Sequence, residues 1–300
     1  MQYNLNLTHV LYFCQIVEHK SMSQAADVLH IAQPSLSMAI KKLEENLGFS
    51  LFERKNRQLY LTPQGKAFYE EAKLLVEHSR ALEERIDDIK ANKHRIRLGI
   101  SPMISSSIIP LIFDLFAKDH PHIEFEIVET GVLQLQSLLQ KQKLDVAFLN
   151  QNTSQPIDIQ FHQLFQSQYH LYVGENDPLR QVYEDKGQQP LTIQDYYQSP
   201  MVFYRHTSYI QTQLTKAFEE HHYLPRILMR TTQIQTVKQL VKNSVACAFL
   251  IDISVLPQDC LYQVETEHSF TVDVGIAYNT HSTLTEDLET FIAFLKSLHW

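Results

Sequence analysis

The chain has 300 residues, 44% hydrophobic and 20% charged, a balance that excludes disorder and suits a globular protein of roughly two or three domains, each able to bury a core. Its net charge of −8 is unevenly spread: residues 1–95 carry 13 Lys/Arg against 12 Asp/Glu, and residues 96–300 carry 13 against 22, so only the first part is electrostatically free to approach phosphate. Apolar stretches such as Val245 to Ile251 are too short to span a membrane and the N-terminus lacks a basic-then-apolar signal pattern, so a cytoplasmic location is expected.

Leu7, Val10, Leu11, Cys14 and Val17 recur at helical spacing and predict a first helix from about Thr8 to Glu18. A second is expected from an N-cap at Ser23 to about Leu29, with Ala25 and Ala26 permitting close packing. After "HIAQ", Pro34 suits a helix's first turn, Leu36, Ile40, Leu43 and Leu47 form a buried stripe, and Gly48 ends it. Ser35, Ser37, Met38, Lys41, Lys42 and Glu45 fall toward the other side. "LFERKNRQLYLT" reads as two strands around a turn at Lys55-Asn56, and Thr62-Pro63 begins a long helix. In that helix Phe68, Ala72, Leu75, Ser79, Leu82, Ile86 and Ile89 keep the four-three spacing of a two-helix seam. At ~1.5 Å per residue it reaches about 40 Å, which predicts pairing with a second copy of the chain rather than burial in a small core.

From Arg95 onward strands and helices alternate. "RIRLGIS", "IEFEIVET" and "LDVAFLN" are strands, separated by helices from Ser105 to about Lys118 and from Leu133 to about Gln142. A second set follows: "YHLYVG", "MVFY", a helix from Ser208 to Glu220, "RILMRT", a helix from Gln233 to Lys242, and "VACAFLI". "FTVDVGIAY" and a helix from about Thr285 close the chain. This order predicts two small α/β lobes built on parallel sheets. Cys14, Cys247 and Cys260 are odd in number, lack metal-type spacing and have apolar neighbours, so reduced, buried thiols are expected. A redox-sensing Cys247/Cys260 pair is the alternative.

Two helices joined by a short turn, the second presenting small polar and basic side chains, match a helix-turn-helix whose second helix enters a major groove. Ser35 and Ser37 can donate to phosphate or base edges, and Lys41 and Lys42 supply charge. Arg54, Lys55 and Arg57 on the hairpin can reach the flanking backbone or the minor groove, as a wing would. A plain three-helix bundle with a solvated basic side fits the same pattern. The string "SMSQAADVLHIAQPSLSMAIKKLEENLGFSLFERKNRQLYLTPQGKAFYEEA" resembles the N-terminal signature of LysR-type transcriptional regulators, matching at Ala25-Ala26, Leu29, Gln33-Pro34-Ser35, Leu36-Ser37, Ile40, Leu43-Glu44, Leu47-Gly48, Leu51-Phe52, Arg54, Leu61-Thr62 and Gly65. Further on, "LGIS", "IIPLIFDLFAKDHP" and "KLDVAF" resemble the start of that family's effector domain.

The resemblance implies an α/β protein with an α-rich winged helix-turn-helix, a long linker helix and two Rossmann-like α/β subdomains similar to type 2 periplasmic binding proteins. It divides the chain into a DNA-binding domain at 1–62, a linker and dimerisation helix at 63–93 and an effector-binding domain at 94–300. Lobe I is expected at 94–164 with 268–300, and lobe II at 165–267. The implied partners are double-stranded DNA, with contacts from Gln33, Pro34, Ser35, Ser37, Met38, Lys41, Lys42, Arg54, Lys55 and Arg57, a small-molecule inducer, further copies of the chain in a dimer or tetramer, and RNA polymerase. No cofactor, metal or membrane is called for. The sequence departs from the family pattern at Met38, where a long polar or basic side chain is frequent, and at "VKNSVACAFLI", where the family carries glycines.

Ligands of open parallel α/β sheets gather beyond the carboxyl ends of the strands. Those ends place Ser101, Pro102, Thr130, Gly131, Asn150, Tyr204, Arg205, His206, Thr232 and Ile251 around an inter-lobe crevice. Helix starts and Arg205 both favour an anion, so a small anionic metabolite is the expected inducer. An enzyme is disfavoured: G-x-S-x-G, G-x-G-x-x-G and P-loop motifs are missing, and there are only 7 glycines to cradle phosphates. His120/His122 and His221/His222 read as solvated surface histidines rather than ligands. A free-standing solute-binding protein fits the lobes but not the N-terminal segment.

Overall fold

The computed structural model describes residues 5–55, 58–90, 94–150, 157–204, 208–282 and 284–300. The chain forms two compact units, Met1–Ala91 and Asn92–Trp300.

In the first unit, helix α1 (Leu7–His19) starts where the Asn6 side chain accepts from the Thr8 and His9 amides, and it buries Val10, Phe13, Cys14 and Ile16. Helix α2 (Met22–Val28) is capped by Ser21, not Ser23 as expected. The Ser23 hydroxyl instead donates to Gln33 Oε1 at 3.0 Å and links the starts of two helices. Helix α3 (Gln33–Leu47) ends at Gly48, whose φ of 78° is the left-handed conformation that glycine adopts without steric cost. Strands β1 (Phe52–Lys55) and β2 (Gln58–Leu61) pair antiparallel, and the expected turn residue Asn56 lies outside the described residues. Helix α4 (Pro63–Lys90) follows. The Phe13 ring lies 5.3 Å from Phe52, 5.4 Å from Phe68 and 6.1 Å from Tyr69, so one aromatic joins α1, β1 and α4.

The expected seam of α4 divides in two. Phe68 and Ala72 pack into the core of their own unit, because the helix must first cover α1. Leu75, Leu82 and Ile86 remain 44%, 56% and 38% exposed, while the side chain of Ile89 is outside the description.

The second unit begins with β3 (His94–Ile100), α5 (Pro102–Ile112) and a π-helical turn at Phe113–Ala117. Helix α5 starts three residues earlier than expected, since Ser101 caps it and Pro102 fits the first turn. Next come β4 (Ile123–Glu129), α6 (Val132–Gln140), β5 (Val146–Asn150) and β6 (Ile159–Val173). Helices α7 (Pro178–Asp185) and α8 (Ile193–Tyr196), too short to show periodicity, precede β7 (Met201–Phe203) and α9 (Tyr209–Glu220). The remainder is β8 (Ile227–Arg230), α10 (Ile234–Lys242), β9 (Ala248–Ile251), β10 (Tyr262–Val264), β11 (Phe270–Asn279) and α11 (Glu286–Ser297).

The expectation of purely parallel sheets is corrected here. The main sheet has the order β10-β6-β11-β5-β3-β4, with β9 also on β6. Strand β3 runs parallel to β4 and β5, but β11 is antiparallel to both β5 and β6. Strand β6 starts at Ile159 rather than near Tyr169. Its first part, "IQFHQLFQSQ", places Gln and His between apolar residues, and a bulge opposite Val274 and Gly275 shifts the alternation. A Cβ at Gly275 would sit 2.2 Å from the His162 carbonyl oxygen, so the bulge admits only glycine without backbone movement.

One polar contact fixes the hairpin of the first unit. The Glu44 carboxylate, on the buried side of α3, accepts the Leu51 amide at 2.6 Å and the Phe52 amide at 3.2 Å. Replacing Glu44 with Ala leaves both amides unpaired. Hydrogen bonds to charged groups are worth about 1.5–3 kcal/mol, so Glu44→Ala is expected to lower the stability of this unit by about 2 kcal/mol in urea unfolding, with Glu44→Gln recovering part of the loss. An unchanged midpoint would show that the hairpin is held by its apolar contacts alone.

Candidate functional site

Helix α3 buries Leu36, Ala39, Ile40 and Leu43, which turns Gln33, Pro34, Ser35, Ser37, Met38, Lys41 and Lys42 outward, all exposed. This face has no carboxylate between Gln33 and Lys42. No side chain caps the helix's N-terminus, so amide donors there are open to an anion alongside the Ser35 and Ser37 hydroxyls. Lys41 stands 3.9 Å from Glu45 with both side chains mostly in solvent, a contact too weak to compete with phosphate. Met38 is 70% exposed, an apolar surface in the middle of a polar face. Arg54 and Lys55 lie on β1 with side chains outside the description, and Arg57 lies outside the described residues altogether.

The second unit holds a cavity of about 90 Å³. Of the ten residues expected around a crevice, Ser101, Pro102, Gly131, Asn150, Tyr204, Thr232 and Ile251 line it. Thr130 does not, because its hydroxyl donates to Gln134 Oε1 at 3.0 Å along the start of α6. Arg205 and His206 lie outside the described residues. The walls that strand ends did not reveal are apolar and aromatic: Met103, Ile104, Phe148, Tyr169, Tyr209, Val272 and Val274 among them. Ser208, the N-cap of α9, was legible as a helix start but not as a wall.

No Asp, Glu, Lys, Arg or His is among the described lining residues. Polarity comes from helix ends instead. Residues at the starts of α5, α6 and α9 (Pro102, Val132 and Tyr209) border the space, and Thr232 precedes α10. Each start carries a partial positive charge; α6 has no side-chain cap, whereas Ser101 and Ser208 take the Met103 and Gln211 amides at α5 and α9.

Two polar atoms at this wall have no hydrogen-bond partner among the described residues: Asn150 Oδ1 and the Tyr204 hydroxyl. The other phenols are engaged, Tyr169 with the Met103 sulfur at 3.7 Å and Tyr209 with the Thr271 carbonyl oxygen at 3.3 Å. Burial pushes the Tyr204 and Tyr169 phenols far above their ordinary range, so both stay neutral donors at physiological pH. The Tyr204 backbone amide donates to the buried Gln211 side chain at 3.0 Å, and Gln211 in turn donates to Thr215 at 3.0 Å. That chain of bonds fixes the end of β7 against α9 and holds the phenol in place.

The cysteines behave differently from one another. Burial pushes the Cys14 thiol up to about 11, and Cys247, also buried, is raised further. Cys260 is exposed, contrary to the expectation that all three are buried, because it follows a 3₁₀ turn at the surface. A raised, buried thiol carries little thiolate, which disfavours Cys247 as the attacking group of a redox pair.

Two family models match the chain. Residues 7–66 match the model of the bacterial regulatory helix-turn-helix protein, lysR family, and residues 90–299 match the LysR substrate binding domain. The chain is 29% identical over 239 residues to the HTH-type transcriptional regulator BenM of Acinetobacter baylyi, covering 79% of this chain and 77% of that protein. It is 25% identical over 275 residues to the transcriptional dual regulator GltC of Bacillus subtilis, covering 91% and 87%. Among solved structures, CbnR, a LysR family transcriptional regulator, superposes with a TM-score of 0.58 at 17% identity over 97% of this chain and 98% of the other. Full-length BenM gives 0.54 at 24% identity over 97% and 96%.

Proposed function

The chain belongs to the LysR family of transcriptional regulators, and on that premise we propose that it binds operator DNA through α3 and answers to a small anionic metabolite held in the cavity of its second unit. The observation that carries the effector half is the Tyr204 hydroxyl, 2% exposed and without a hydrogen-bond partner among the described residues, in a space bordered by helix starts and free of described carboxylates. A carboxylate oxygen supplies the missing acceptor, and the apolar and aromatic walls accept its carbon body. The family's role is regulation rather than catalysis.

The proposed working form is a dimer or tetramer in the cytoplasm, joined along α4 by the exposed Leu75, Leu82 and Ile86. Its parts are the DNA-binding domain 1–62, the linker 63–93 and the effector domain 94–300, with lobe I at 94–164 and 268–300 and lobe II at 165–267. Paired α3 helices reach successive major grooves, with half-sites about 10 bp apart or a multiple of that. Ligand binding between the lobes alters the spacing of the DNA-binding domains and so the access of RNA polymerase. Gln33, Pro34, Ser35, Ser37 and Met38 address bases and backbone, Lys41 and Lys42 phosphate, and Arg54, Lys55 and Arg57 the flanks. Arg205 and His206 follow Tyr204 directly and join the anion site in this reading.

Lys41→Ala is expected to weaken binding to a promoter fragment across sequences and to reduce the slope of log affinity against log salt by about one unit. An unchanged slope removes Lys41 from the phosphate contacts. Tyr204→Phe is expected to weaken binding of the effector carboxylate by about tenfold or more in calorimetry, since a hydrogen bond to a charged group is lost. Equal affinity would exclude the phenol from the site.

A further inference from the structure

A second cluster of ligating groups lies on the second unit and shares no residue with the cavity. His94 is the first residue of β3, His122 immediately precedes β4, and Asp287 lies in the first turn of α11. The parallel register pairs His94 with Ile123, which brings the two histidines side by side, with ring centroids 5.3 Å apart and edge to face. Asp287 then approaches both: its Oδ2 is 2.7 Å from His94 Nδ1 and its Oδ1 is 3.4 Å from His122 Nε2. One ligand atom from each residue lies within 4.8 Å of the others. The side chains of His94 and His122 are 45% and 51% exposed, so an ion from solvent can reach them.

We propose that His94, His122 and Asp287 form a binding site for a divalent transition-metal ion of the zinc type. Two imidazoles and one carboxylate are a donor set that zinc, nickel or copper accepts and that magnesium and calcium, which take oxygen ligands, do not. With metal–ligand bonds of about 2.0–2.2 Å, a tetrahedral ion holds its ligand atoms about 3.4 Å apart. His122 Nε2 stands at that spacing from Asp287 Oδ1, at 3.4 Å, while His94 Nδ1 is 2.7 Å from the other oxygen, Oδ2, so the carboxylate has to turn and the His94 contact has to open for one ion to take all three residues. The fourth position faces solvent and takes water. The positive end of α11 opposes a cation, but Glu286, Asp287 and Glu289 occupy its first turn and offset it.

A bound ion ties together the starts of β3 and β4 and the last helix of the chain. His94 is also the first described residue after the stretch 91–93, where the chain passes from one unit to the other in sequence. The ion thus stiffens the corner of the second unit that receives the linker.

Zinc chloride and nickel chloride titrated into the full-length protein, with bound metal counted after dialysis and the melting temperature followed in parallel, test the assignment. Wild type is expected to hold one equivalent per chain that His94→Gln/His122→Gln lacks, and zinc should raise the melting temperature of wild type only. Asp287→Asn, which preserves shape, should weaken that equivalent by more than about tenfold, the scale that even supporting groups of metal sites command. X-ray absorption of the zinc form should show nitrogen and oxygen ligands. Equal stoichiometry and affinity in wild type and the double variant, no binding by wild type, or sulfur ligation would each overturn the proposal. Unchanged circular dichroism and promoter binding in the variants confirm that they fold.

Discussion

Strand β6 pairs with β11 along the full 10 residues of β11, and the architecture of the second unit depends on that antiparallel contact. The pair is shared by two sets of neighbours. The later part of β6 carries β9 and β10, whereas the later part of β11 carries β5, and through it β3 and β4. Helices α5 and α6 follow β3 and β4 of one set, and α9 and α10 follow the separate parallel pair β7 and β8, which meets the stretch before β9 through a bridge between Met201 and Cys247; the starts of these helices border one space. Val272 and Val274 of β11 supply its apolar floor, and Asn150, Tyr204 and Ile251 stand at strand ends around it. The bulge at Val274 and Gly275 falls where β11, still paired with β6, also begins to pair with β5, and a Cβ at 275 would meet the His162 carbonyl oxygen.

The first unit depends on an analogous device of smaller scale. Glu44 sits one residue after the buried Leu43, and its carboxylate receives the two amides that lead into β1. Thr62 does the same at the hairpin's exit: its hydroxyl donates to the Ser50 carbonyl oxygen at 2.7 Å and accepts the Gly65 amide at 2.8 Å. Entry and exit of the hairpin are thus bonded to α3 and to the start of α4. Glu44 and Thr62, both at matching positions of the family signature, therefore have a structural role, which is to hold the hairpin beside α3.

What the sequence revealed followed from local physics. The stripe of α3, its proline start and its glycine end are all short-range signals, and they placed the outward face correctly. Strand ends were equally readable, which is why seven of the ten expected positions border the cavity. Of the remaining walls, Met103, Ile104, Val132, Phe148 and Leu149 adjoin those positions in sequence, whereas Tyr169, Val272 and Val274 come from strands far from them. Val272 and Val274 belong there only because β11 returns antiparallel, and an alternating strand–helix order conceals that reversal. The long β6 was hidden by its Gln and His residues and by the bulge. The division of the α4 seam between an intrachain core and an exposed stretch could not be read from spacing, because heptad periodicity does not say what covers it. His94, His122 and Asp287 illustrate the limit most clearly, with His122 and Asp287 separated by 165 positions and joined only by tertiary structure.

In the proposed function, the cavity selects negative charge through helix ends and a neutral phenol. The most direct test titrates the protein calorimetrically with small aryl and alkyl carboxylates and with the primary amide of each, which keeps the carbon body and removes the charge. Any acid that binds is expected to do so at least about tenfold more tightly than its amide, the worth of one charge-assisted hydrogen bond. An amide that binds as well as its acid would contradict it.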